Sequence, residues 1–97
     1  ENIFFMQMKG LLSQDDLVIA ISCSGNSPNI VKAVDYAKEL GCKVIGVTGF
    51  EGGHLKKKSD INFHVDTPKG EYGLVEDVHM ILDHLIYSYY IQRGPLV

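Results

Sequence analysis

Seven consecutive residues, Ser22-Cys23-Ser24-Gly25-Asn26-Ser27-Pro28, gather three hydroxyl side chains and a thiol around one glycine. Hydroxyls and backbone N–H groups are donors. A helix beginning at Pro28 would add the unpaired N–H groups and partial positive charge of its amino end. Neutral donors in that arrangement suit an anion, above all a phosphate monoester on a small metabolite. The segment has neither the Gly-Lys-Ser/Thr ending of a Walker A loop nor the three-glycine spacing of a dinucleotide fingerprint. Its plainer reading is turn chemistry at Gly25-Asn26 and a helix cap at Ser27. Cys23 stands near a helix amino end, where thiol pKa values fall. A small side chain filling the loop is the simpler role for it.

A second cluster lies in Val75-Glu76-Asp77-Val78-His79-Met80-Ile81-Leu82-Asp83-His84. Around a helix, Glu76 and Asp83 fall about 20° apart, and Glu76 and His84 about 80° apart. His79 and Asp83 are spaced i, i+4, which is compatible with a shared metal. A carboxylate and an imidazole beside a phosphate pocket would suit proton transfer. The competing reading is a solvated helix face. A third segment, Thr48-Gly49-Phe50-Glu51-Gly52-Gly53-His54, permits a tight excursion, and a connection needing left-handed residues explains it without a ligand. Lys56-Lys57-Lys58 reads as a wet helix face.

The elements that must position these residues follow from hydrophobic patterning. Leu17–Ser22 and Lys43–Thr48 are apolar, β-branched runs that read as strands, the first buried on both faces. Ile61–Asp66 alternates and reads as a strand nearer an edge. Ile30, Val31, Val34, Ala37 and Leu40 recur at helical spacing, which predicts a helix over Ser27–Leu40, with Pro28 in its first turn and Gly41 ending it. A turn or two of helix fits His54–Lys58. A long helix fits Gly73–Ile91, with Leu74, Val78, Ile81, Leu82, Leu85 and Ile86 on its apolar side. A further helix over Asn2–Leu12 is interrupted near Gly10. Strand, helix, strand, short helix, strand, helix predicts an α/β fold with a parallel sheet and right-handed crossovers. Three strands leave an edge in need of neighbours, from further sequence or another subunit.

Composition narrows the function classes. The 97 residues suffice for one domain, and 45% of them are hydrophobic. Nine basic residues against twelve acidic give a net charge of −3, so no basic field exists to hold nucleic acid. No apolar run is long enough for a transmembrane helix, so no membrane partner is expected. No secretory signal pattern opens the chain. Two cysteines make no disulfide framework, which fits a cytoplasmic setting.

The run Asp16 to Ala33 resembles the phosphosugar-binding loop of the SIS (sugar isomerase) domain. The Val44–Gly49 strand, the Gly52-Gly53-His54-Leu55 turn and the Glu76–His84 helix match next. Similarity runs from about Asn2 to Ile91 and points to the phosphoheptose isomerase branch. It implies a flavodoxin-like parallel sheet, of which residues 1–97 would supply about three strands as the carboxyl-terminal half of the domain. It also implies a homotetramer. By that resemblance Ser22, Cys23, Ser24 and Ser27 hold the phosphate end of a sugar phosphate. Glu76 and His84 belong to the active site at a subunit boundary, with His84 transferring protons and Glu76 orienting substrate. In some members the same pair binds zinc together with ligands from an earlier helix. This sequence departs from the family pattern at Cys23, where Thr is usual, at Glu76, where Gln is common, and at Gly73, where Asp is frequent. The missing half would carry a further strand, a second substrate loop and a catalytic Glu. A different role within the family is non-catalytic: a binding partner of the bacterial replication initiator, or a sensor of a sugar phosphate.

Overall fold

A computed structural model describes residues 2–95. Seven elements follow one another: α1 (Ile3–Met8), β1 (Leu17–Ser22), α2 (Pro28–Glu39), β2 (Lys43–Gly49), α3 (Gly53–Lys58), β3 (Ile61–Val65) and α4 (Tyr72–Arg93). The three strands form one parallel sheet in the order β1-β2-β3. The expected α/β plan is therefore present, with β2 in the centre and an edge on each side.

Helix α2 shows why these residues fold as they do. Ser27 occupies the N-cap position and Pro28 the first helical residue, where its missing N–H costs nothing. At the other end Gly41 takes a left-handed φ of +88°. The Gly41 N–H donates to the Lys38 carbonyl and the Cys42 N–H to that of Ala37, the paired bonds of a Schellman ending. Between these ends Val34 and Ala37 face inward. They pack with Ala20, Cys42, Val44 and Leu55 into the core between α2, α3 and one face of the sheet.

The opposite face departs from the expectation. β1 was expected to be buried on both sides, yet Leu17, Ile19 and Ile21 alternate outward and each is more than half exposed. Ile61 and Phe63 of β3 are exposed as well. Helix α4 forms where expected, slightly longer at both ends. It buries only Val75, while Leu74, Ile81, Leu85 and Ile86 lie bare. Apolar strands flag burial on both sides; they do not say that the cover comes from the same chain. No helix among the described residues is long and apolar enough to cross a membrane.

Candidate functional site

The loop between β1 and α2 is built around its serines. The Gly25 N–H donates to Ser22 Oγ at 3.1 Å, and the Asn26 N–H donates to Ser24 Oγ at 3.1 Å. Ser22 Oγ and Ser27 Oγ lie 3.3 Å apart and share one hydrogen. Ser27 makes no side-chain cap bond to its own helix, so the expected capping role is not the one it plays. Accepting from the backbone uses a lone pair and leaves a hydroxyl hydrogen available. The loop is thus folded into its own acceptors while keeping donors to offer.

A second loop holds the first in place. Gly25 takes a φ of +71°, and a Cβ there would come within 1.8 Å of the Gly52 carbonyl oxygen. The Leu55 N–H donates to the Gly25 carbonyl at 3.0 Å, and the Gly49 N–H to that of Cys23 at 2.8 Å. Asn26 Oδ1 accepts the His54 N–H at 2.9 Å. His54 Nε2 in turn lies 2.8 Å from Asp35 of α2. The segment Gly49–His54, read from sequence as a connection, is a brace for the serine loop.

Above these loops opens a cavity of about 650 Å³. Ser22, Cys23, Ser24 and Ser27 line one side, and Tyr72, Glu76, His79 and Asp83 of α4 line the other. It sits at the carboxyl ends of the parallel strands, where open α/β sheets take ligands. Among the described residues neither lysine nor arginine lines it. Burial, and next the negative charge of Glu76, push the Cys23 thiol above its ordinary pKa. Cys23 is therefore held as a neutral thiol, and the helix amino end does not activate it.

Of the two α4 residues that the resemblance assigns to the active site, Glu76 lines the cavity and His84 does not; His84 lies exposed on the helix. His79 faces the cavity instead, with Nε2 2.9 Å from the Thr48 carbonyl oxygen. Among the described residues no three His, Cys, Asp or Glu side chains converge as a metal set. A zinc ion on Glu76 and His84 would find too few donors among the described residues of this chain.

The family model of the SIS domain matches residues 1–85. The chain belongs to the SIS domain family. Over 89 residues this SIS chain is 40% identical to the phosphoheptose isomerase of Aliarcobacter butzleri, spanning 89% of the chain and 44% of that protein. Over 86 residues it is 41% identical to that of Nitratidesulfovibrio vulgaris, spanning 89% of the chain and 40% of the relative. The solved phosphoheptose isomerase of Francisella tularensis superposes with a TM-score of 0.74 at 32% identity, over 87% of this chain and 44% of that one. The enzyme from Neisseria gonorrhoeae gives a TM-score of 0.75 at 30% identity, over 87% and 47%. The SIS chain thus spans a little under half the length of the relatives it matches.

Proposed function

We propose that this chain is the phosphate-gripping part of a phosphoheptose isomerase, which interconverts sedoheptulose 7-phosphate and an aldoheptose 7-phosphate. The observation that carries this reading is the cavity with the braced serine loop on one wall and Glu76 on the other. Ser22, Ser24, Ser27 and the start of α2 would take the phosphate with neutral donors. Cys23, kept protonated, would fill the place beside it. Anchoring that end fixes the reacting carbons against whichever acid and base the complete site provides. Aldose–ketose isomerisation moves a proton between adjacent carbons through an enediol and needs both groups. Glu76 would orient the sugar from α4. His84, on the exposed part of α4, would transfer protons in a site completed by groups from outside this chain, as in a homo-oligomer. The setting we propose is the cytoplasm.

The test is an amide-resolved NMR titration of the chain with sedoheptulose 7-phosphate, with inorganic phosphate as control. Shifts confined to Ser22–Ser27 with both ligands, and further shifts around Glu76 with the sugar phosphate alone, are expected. A well-dispersed spectrum that does not move would overturn the phosphate-binding role. In the full-length protein His84→Ala is expected to abolish turnover and leave phosphate binding intact; persisting turnover would remove His84 from the mechanism.

A further inference from the structure

Helix α4 carries one wall of the cavity, yet it is held to the rest of the chain at few points. Val75 is its one buried residue and lies against Gly49, where a Cβ would come within 2.6 Å of the Val75 side chain. The second point is polar. His79 Nε2 lies 2.9 Å from the carbonyl oxygen of Thr48, at the carboxyl end of β2. Among the described residues no other side chain of α4 makes a hydrogen bond or ion pair to another element.

A backbone carbonyl only accepts, so Nε2 must carry the hydrogen and the ring is fixed in one tautomer. The residue that supplies the acceptor is itself enclosed and hydrogen-bonded. Thr48 is fully buried, its Oγ1 lies 2.8 Å from His64 Nδ1, and Asn62 donates to the same oxygen at 3.2 Å. Glu76 lies one turn before His79 and shares the cavity wall with it. Whatever fixes His79 therefore fixes where Glu76 stands relative to the serine loop.

We propose that His79 is a positioning residue: by donating from Nε2 to the Thr48 carbonyl it suspends α4 from the end of β2 and holds Glu76 across the cavity from Cys23. This role is separate from proton transfer, and it belongs to the same site as the isomerase reading without needing that reading to be right.

Two ligand-free measurements on the 97-residue chain test it. Long-range nitrogen–proton spectra of the imidazoles should show His79 as the Nε2–H tautomer. A neutral ring protonated on Nδ1 instead of Nε2, or one averaging between the two tautomers, would overturn the proposal. The second measurement uses Cys23 as a reporter of Glu76, because the carboxylate helps to raise the thiol pKa. The pH profile of Cys23 alkylation is followed by mass spectrometry of its peptide. Glu76→Gln should move the midpoint to lower pH, and His79→Ala should move it in the same direction by releasing α4. His79→Gln, whose amide can still donate to Thr48, should keep the wild-type midpoint. An unchanged midpoint in His79→Ala, or a Gln variant that behaves like Ala, would overturn the proposal. Sugar-phosphate titration separates this outcome from the functional reading. If the wild-type chain binds, His79→Ala should weaken sedoheptulose 7-phosphate by about 5-fold or more while inorganic phosphate stays within about 2-fold, and equal loss for both ligands would count against a role confined to the α4 wall.

Discussion

A carboxylate set opposite a phosphate loop works against the phosphate. Glu76 and Asp83 are the charged residues on the cavity wall, and among the described residues no lysine or arginine lines it beside them. Removing one negative charge should then help a dianion bind. Glu76→Gln is expected to tighten inorganic phosphate by about 2- to 5-fold, the size of one partly screened charge interaction. Titration at low and high salt checks this, and a gain that vanishes at high salt identifies it as electrostatic. The loop itself depends on Gly25. With its left-handed φ and the Gly52 carbonyl in the path of a Cβ, Gly25→Ala should cost about 2 kcal/mol or more of stability and abolish phosphate-induced shifts. Denaturant unfolding and the same titration measure both. The serine loop was legible in sequence because strand, glycine, hydroxyls and helix start are contiguous there. The brace was not, since Gly49–His54 meets Asn26 only through folding. Nor did spacing choose between His79 and His84: periodicity gives the angle between residues on a helix, not the sector that faces the sheet.

Elements were the most legible scale, and the reason shows at their ends. Pro28 and Gly41 bracket α2 with residues that suit those positions. The strands were found from β-branched runs, and the sheet's parallel sense followed from the short crossovers. A less visible device ties α2, β2 and β3 together. Asp60 Oδ2 accepts the Val44 N–H at 2.7 Å, and Oδ1 accepts from Lys38 Nζ at 2.8 Å. The Lys38 hydrogen bond first, and then that from Val44, hold the Asp60 carboxyl below its ordinary pKa. A depressed carboxylate stabilises the fold above its unfolded-state pKa, and the contribution is lost as pH falls through the folded value. Asp60→Asn should therefore be less stable than wild type near pH 7, with the difference shrinking as pH falls below about 4 and through the lowered folded value. Thermal unfolding followed from about pH 7 downward reads the difference directly, and a gap that does not shrink as pH falls would show that the carboxylate's charge is not its source.

At the scale of the whole molecule the sheet is covered on one side. Leu17, Ile19 and Ile21 of β1, with Ile61 and Phe63 of β3, leave an apolar face open, and β1 also leaves an unpaired strand edge. Parallel sheets are found with both faces covered, and exposed edges pair with other chains. The sequence pattern foretold a sheet in need of neighbours but misplaced the need, since an apolar run looks the same whether its cover is in the chain or outside it. The relatives are more than twice as long as the region they share with this chain, which is consistent with cover from further sequence. In isolation the 97-residue chain has only other copies to bury this face against. It is expected to sediment at micromolar concentration as a species heavier than its 10.8 kDa. The double variant Leu17→Lys, Ile19→Lys places two like charges on the same face of β1, because side chains two apart point the same way. It should shift the chain to the monomer while leaving the core on the other face, and hence its helical signal, intact. A wild-type chain that sediments as a monomer would mean that the bare face is tolerated in water, and the strand edge rather than the face would then be the place to look for a partner.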